Sequence, residues 1–438
     1  MKLNLSEIIK AAEAEIIKFD FQEEKSYTFS TDTRTITKGQ IYIPLKGESF
    51  DGADFIENAL QAGAEGYFVS DKNKIFKDAK IILYVEDTKE AYLKLANYYK
   101  NKINPYTIAI TGSSGKTTVK EMMYSVFKNA GHTVKSILNH NNEIGLCQTL
   151  SALEPSVKYL IIEMGMRAAG EIELLSRYSQ PDIAVIVNCG SAHIGRLGSL
   201  LNIAKAKFEI TKYLKGVLIA HDNELLRQIN DNKHKTVYFS LKDKNLLIKE
   251  MKSDFCRFEY KGNEYTLNTG GEHNIQNALG VIETALYAGL TPDIIAKGLK
   301  EYTPIEKRWE IQNIKGFKII NDSYNSNPDS VKAAIKQFLL YTPFPKSVVL
   351  GDMGELGKNE KKYHIETGKF LEQFECDYVL TTGELAKYIQ PSNLKTKHFD
   401  NKKNLADFIK NNLSEGSNIL LKASRFMKFE EIIEELKN

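Results

Sequence analysis

The sequence predicts an α/β protein of three domains, and three observations carry that expectation. The first is length: 438 residues exceed one ordinary hydrophobic core and suggest about three domains of roughly 100–200 residues. The second is alternation, because from Tyr106 onward short β-prone apolar runs are separated by stretches with helical periodicity, as in parallel sheets covered by helices. The third is Thr111-Gly112-Ser113-Ser114-Gly115-Lys116-Thr117-Thr118, a glycine-flanked loop between a strand and a helix. The expected division is a small mixed α/β domain over 1–102, a central parallel-sheet domain of the P-loop NTPase-like kind over 103–308, and a Rossmann-like domain over 309–438.

Within the first hundred residues, Ile41–Leu45, Gly66–Val69 and Ile81–Val85 read as strands, and Phe55–Ala62 reads as a helix stopped by Gly63. The polar run Lys100–Pro105 reads as a linker. In the central part, Tyr106–Ile110, Tyr159–Ile162, Ile183–Val187 and Val217–Ala220 are continuous apolar runs suited to strands buried on both faces. Tyr302-Thr303-Pro304 interrupts helical patterning and marks the next boundary. Beyond it, Phe317–Ile320, Ser347–Leu350, Tyr378–Thr381 and Asn418–Leu421 alternate with amphipathic segments, as in a second doubly wound sheet.

The loop at 111–118 suits polyphosphate chemistry. Gly112 and Gly115 let backbone N–H groups approach an anion, Ser113, Ser114 and Thr118 complete the cradle, and the helix that follows adds positive potential at its start. Lys116 supplies a point charge and the Thr117 hydroxyl can hold Mg²⁺. The generic pattern begins one glycine earlier, and here that position is Ile110.

Other residues acquire meaning from where they fall on the predicted sheets. Glu163 directly follows a buried-strand run, so its carboxylate should reach the ligand crevice and offer a hard oxygen to Mg²⁺. His193 follows the next strand, where a structural histidine and a metal or phosphate ligand are both open readings. Lys205 and Lys207 sit in a helical stretch beginning near Ser199, and taken alone they read as a solvated face. Asn274 and Asn277 open a helix, where amides serve as caps or read a base edge. Asn321–Pro328 is either a polar turn or a site at a sheet's carboxyl edge.

Composition narrows the class. Lys plus Arg is 59 against 56 for Asp plus Glu, so no polyanion-binding field exists and nucleic acid is not an expected partner. The four cysteines are isolated, which fits a reducing compartment and argues against a disulfide framework or structural zinc site. The amino terminus carries charges where a secretory signal needs an apolar core, and no run is long enough to span a bilayer, so the expectation is a cytoplasmic, monomeric protein without membrane insertion.

Taken together, these segments resemble the Mur ligase family of ATP-dependent amide-bond-forming enzymes, with matches running from Thr31-Asp32-Thr33-Arg34 to Lys422-Ala423-Ser424-Arg425. Asn141-Asn142-Glu143-Ile144-Gly145, Glu163-Met164-Gly165, Asn321–Pro328 and Leu350–Gly357 resemble the branch whose substrates are UDP-N-acetylmuramoyl-tripeptide and D-alanyl-D-alanine. The resemblance implies that Thr33, Arg34 and Lys46 line a uridine-nucleotide pocket, and that Asn141, Asn325 and Asn327 lie against substrate. It implies that Lys116 holds the ATP phosphates, that Thr117 and Glu163 bind one Mg²⁺, and that His193 and a carbamylated Lys207 help hold a second. Asn274 and Asn277 would approach adenine, while Arg308 and Asp322 would meet γ-phosphate and ribose on closure. Two positions depart from the pattern: Cys147 stands where the family usually has Pro after Gly-Leu, and His221 precedes Asp222 where Asn-Ala-Asp is usual.

Overall fold

The computed structural model describes residues 1–20, 25–47, 49–76, 78–137 and 140–438. Its first part is a five-stranded sheet in the spatial order Glu15–Phe19, Ile81–Tyr84, Gly66–Val69, Ile41–Tyr42 and Phe29–Ser30. The first pair is antiparallel and the others parallel. The helix Thr88–Ile103 leaves this sheet, starting on an Asp87 cap that accepts from Glu90 N and ending on Asn104 in the left-handed region. One of its faces packs on the helix Leu5–Ala12 and another on Glu143–Ser151. A single apolar cluster therefore runs from Ile8 and Leu83 through Leu95 to Leu146 and Leu160.

The central sheet has six strands in the order Thr236–Phe239, Val217–His221, Ile183–Ile186, Tyr106–Thr111, Tyr159–Glu163 and Thr133–Lys135, all parallel. Every residue of Ile183–Ile186 and Tyr159–Glu163 is buried, which is why these strands read as unbroken apolar runs. The chain first builds toward one edge from Tyr106–Thr111 and then reverses to the other. That reversal opens a crevice at the strands' carboxyl ends. Register aligns Glu163 with Ile110 and Ile186 with Thr111, so the phosphate loop, Glu163 and the segment after Ile186 emerge side by side.

A three-stranded antiparallel sheet, Leu246–Met251, Cys256–Tyr260 and Asn263–Leu267, interrupts the alternation expected for this region. Its second hairpin turns on Lys261 and Gly262, both at positive φ (51° and 78°), the type I′ geometry that matches strand twist. The last sheet runs Glu310–Ile314, Phe317–Asn321, Asn418–Lys422, Lys346–Leu350, Tyr378–Thr382 and Thr396–Phe399. Only the first of these strands is antiparallel to its neighbour. The expected core strands are present, and the two edge strands, Glu310–Ile314 and Thr396–Phe399, are additions to the reading above. Among the described residues, no helix is long and apolar enough to cross a membrane.

The helix joining the first two sheets carries an unusual burden near its end. Lys100 is 1% exposed, its Nζ donates to Asn101 Oδ1 at 3.2 Å, and burial, aided by the nearby Lys215 charge and opposed by Asp182, pushes its pKa down to about 8. Its ordinary value is 10.5, so between these pH values the folded chain holds fewer protons than the unfolded one and stability rises with pH. Below the folded pKa the full cost of a buried ammonium is present. Lys100→Met should therefore stabilise the protein by roughly 1–3 kcal/mol at neutral pH. Urea midpoints measured across the alkaline range should show that gain vanishing as the unfolded lysine loses its proton.

Candidate active site

Strand Tyr106–Thr111 runs directly into the glycine loop, and helix Lys116–Phe127 leaves it from Gly115, whose φ of +76° a side chain would resist. A Cβ there would also stand 2.7 Å from Asn277 Oδ1. The helix has no side-chain cap, so its first-turn N–H groups and the positive end of its dipole are directed at the crevice. That crevice is a cavity of about 1280 Å³ between the carboxyl edge of the central sheet and the last sheet. Ser113 to Thr118 form part of its wall.

The loop is held from outside. Asn188 Oδ1 accepts from both Ser113 N and Ser114 N at 3.0 Å, and its Nδ2 donates to Ser114 O at 3.0 Å. Ser113 Oγ donates to Gly190 O and accepts from Gly190 N, each at 2.9 Å. Lys116 Nζ donates to Gly112 O at 2.8 Å. Burial pushes the Lys116 pKa down, Arg308 adds to that effect, and Glu163 and Glu355 oppose it.

Thr117 Oγ1 donates to Glu163 Oε2 at 2.9 Å, and Asn141 Nδ2 donates to Glu163 Oε1 at 3.2 Å. Both Thr117 and Glu163 are buried. A hydroxyl and a carboxylate beside a phosphate cradle are the hard oxygen donors Mg²⁺ takes when substrate phosphates complete its shell, so this pair fits that ion. Among the described residues, no cluster of three or more His, Cys, Asp or Glu side chains is assembled that could hold a metal unaided.

His193 lies at the start of the short helix Ile194–Leu197 with φ +65°, and its Nδ1 is 2.7 Å from Glu355 Oε2. That contact holds the Glu355 carboxyl below its usual range. Lys205 is exposed and Lys207 is 1% exposed, so the solvated-face reading fails for Lys207. The helix Leu200–Phe208 turns the two lysines to opposite sides. Burial, reinforced by Lys116 and opposed by Cys189, takes the Lys207 pKa down to about 7. Lys207 is not among the residues that line the cavity.

From the last sheet, Arg308, Asp322, Asn325 and Asn327 all face the cavity. The Arg308 guanidinium sits 4.0 Å over the Tyr324 ring. Asn327 caps helix Pro328–Tyr341, and Asn325 Oδ1 accepts from Ser326 N. Asn274 and Asn277 also line the cavity, though Asn274 Nδ2 is already bonded to Thr269 Oγ1 and Gly270 O. Thr33, Arg34 and Lys46 are not among its wall residues: Arg34 pairs with Asp32 on the surface, and Lys46 forms an antiparallel backbone bridge with Asp51.

Sequence reasoning passed over several residues that the structure places here. Asn188 clamps the loop. Asp329 Oδ2 accepts from Ser191 N and Oγ at 2.7 and 2.9 Å, tying the last sheet's first helix to the loop's support. Glu355 meets His193, and Lys422 reaches the cavity from a strand end. The carboxyl-edge position of Asn188 and Lys422 was readable; the pairings of Asp329 and Glu355 cross between sheets.

The fold and the loop define a nucleotide-binding α/β protein in which a second sheet closes over the phosphate cradle. Three family descriptions match successive segments: Mur ligase family, catalytic domain, over 27–100; Mur ligase middle domain over 110–285; and Mur ligase, glutamate ligase domain, over 307–425. The UDP-N-acetylmuramoyl-tripeptide--D-alanyl-D-alanine ligase of Bacillus subtilis is 37% identical, covering 99% of this chain and 97% of that protein. The enzyme of the same name from Escherichia coli is 33% identical over 93% of each. Among solved structures, MurF from Acinetobacter baumannii superposes with a TM-score of 0.89 at 28% identity, covering 100% of this chain and 99% of that one. MurF ligase from Thermotoga maritima in complex with ADP gives 0.85 at 28% identity, covering 94% and 97%. The chain belongs to the Mur ligase family.

The Asn188 clamp can be tested on its own. Asn188→Ala frees two loop amides and unlinks Ser114, at a cost of about 1–3 kcal/mol in loop organisation. ATP affinity measured by titration calorimetry should fall roughly 5- to 100-fold, with the far-UV spectrum unchanged.

Proposed function

We propose that this chain is an ATP-dependent ligase that joins D-alanyl-D-alanine to UDP-N-acetylmuramoyl-tripeptide in cytoplasmic peptidoglycan precursor synthesis, acting as a monomer. The observation that carries the reading is the cavity itself, where Lys116, Thr117 and Glu163 from the central sheet face Arg308 and Asp322 from the last. The full-length similarity to ligases of that name and to an ADP-bound relative supports it.

The chemistry explains the charge. A carboxylate is a poor acyl donor because an amine would have to expel oxide, so the tripeptide's terminal carboxylate first attacks γ-phosphate, forming an acyl phosphate and releasing ADP. The dipeptide's α-amine then adds to the acyl carbon, and collapse of the tetrahedral species expels inorganic phosphate. Lys116 and Arg308 stabilise the anions that meet in the first step, largely by fixed electrostatics and alignment. Contacts such as Ser191–Asp329 and His193–Glu355 close the cavity and protect the acyl phosphate from water. An α-amino group of pKa about 7.7–8.0 is substantially neutral near neutrality, so the amine can add without a dedicated base. Mg²⁺ at Thr117 and Glu163, with a second ion at His193 and a carbamylated Lys207, would supply further charge neutralisation on the phosphate oxygens.

The division 1–102, 103–308 and 309–438 assigns uridine-nucleotide binding to the first part through Thr33, Arg34 and Lys46. ATP binding falls to the second, with Asn274 and Asn277 near adenine. The dipeptide and closure fall to the third, with Asn325 and Asn327 at the cavity and Asn141 opposite them. Carbamylation of Lys207 joins the neutral amine to CO₂ with loss of a proton, turning a cation into an anionic oxygen donor. A pKa of about 7 keeps much of that amine neutral at physiological pH.

Two outcomes check this reading. With ATP, Mg²⁺, D-alanyl-D-alanine and UDP-tripeptides bearing either lysine or meso-diaminopimelate, mass spectrometry should detect UDP-pentapeptide, and Lys116→Ala should lose ADP formation while still binding UDP-tripeptide. Protein equilibrated with ¹³C-bicarbonate should show one carbamate resonance that Lys207→Ala removes, together with nearly all ligation; short carboxylates should restore part of the activity.

A further inference from the structure

Lys422 is the last residue of strand Asn418–Lys422, which lies between Phe317–Asn321 and Lys346–Leu350 in the last sheet. An ammonium there has three donors to satisfy, and three oxygens stand around it, two as hydrogen-bond acceptors and one as a carboxylate partner. Nζ stands 2.8 Å from Asp322 Oδ2 and donates to Asp322 O at 3.0 Å and Asn325 O at 2.7 Å. The side chain is 4% exposed, against 20% for Asp322. A buried cation is tolerated only where its partners are held in place, so this tripod binds the turn Asp322–Asn325 into one conformation.

What the turn carries gives the tripod a use. It carries Tyr324, whose N donates to Lys307 O at 3.1 Å and whose ring lies 4.0 Å beneath the Arg308 guanidinium. Arg308 therefore reaches the cavity from a surface whose height is set by the turn, and the turn is set by Lys422. We infer that Lys422 is a positioning residue for phosphoryl transfer: it holds the Asp322–Asn325 turn so that Tyr324 presents Arg308, and Asp322 its carboxylate, to the nucleotide. Lys422 acts through these groups and does not itself meet the transferred phosphate. The inference rests on the ligase reading above.

Steady-state kinetics on the full chain test it with Lys422→Met, Tyr324→Leu and the double variant, varying ATP and UDP-tripeptide separately. A misplaced charge-stabilising group costs about 10- to 100-fold in rate. Each single variant should lose that much kcat and raise KM for ATP, while KM for UDP-tripeptide stays within about twofold. Because both act through one relay, the double variant should be no slower than the slower single. Wild-type kcat in Lys422→Met, multiplicative losses in the double variant, or an equal rise in both KM values would overturn the inference. Should Lys422→Met not fold, Lys422→Arg keeps the charge but its planar fork cannot reach the same three oxygens. Its kcat should fall several-fold, and wild-type kcat there overturns the inference equally. If the unaltered protein makes no UDP-pentapeptide, the ligase reading falls instead.

Discussion

Ser113 and Ser114 both give their amide protons to the carboxamide oxygen of Asn188, and much of the molecule is arranged around that contact. A glycine loop ahead of an uncapped helix leaves its own amides without partners. Rigidity has to come from a neighbouring strand, and the parallel register of Tyr106–Thr111 with Ile183–Ile186 brings Asn188 within reach. From Asn188 the support continues through Gly190 to Ser191, and there it meets Asp329 of the last sheet. Cradle and closure are thus one hydrogen-bonded chain.

The electrostatics follow the same plan. Lys116 and Arg308 come close enough for Lys116 to feel the guanidinium, a concentration of positive charge that a folded chain sustains only beside compensating groups. Glu163 and Glu355 oppose the effect at Lys116, and Asp322 engages Lys422. The cations come from different sheets, so their full field exists only when the sheets meet. Polyphosphate is the ligand that such a field would stabilise most.

The helix Thr88–Ile103 plays the corresponding structural part on the opposite side. It is packed on two faces, so the first sheet and the central sheet share apolar surface through Tyr92, Leu95 and Ala96. The last sheet has its own apolar clusters, and its attachments to the central part include polar ones such as Trp309 Nε1 to Ser253 O at 2.8 Å. Polar contacts separate at lower cost than buried apolar area.

The sequence alone determined the features whose physics is local. Buried strands such as Tyr159–Glu163 announce themselves as apolar runs, the phosphate loop by Gly112, Gly115 and Lys116, and the helix after it by its periodicity. The hairpin at Lys261-Gly262 was equally legible, since Cys256, Phe258 and Tyr260 alternate before it; the alternation of strand and helix around it masked the signal. Tertiary structure alone decided which of two lysines, 205 or 207, is buried, because one turn of helix can face either way until it has a neighbour. It also decided that Asp329 meets Ser191, that Glu355 meets His193, and that Lys422 engages a turn about a hundred residues away. Such pairings are set by packing between sheets, and a linear chain holds no record of that distance.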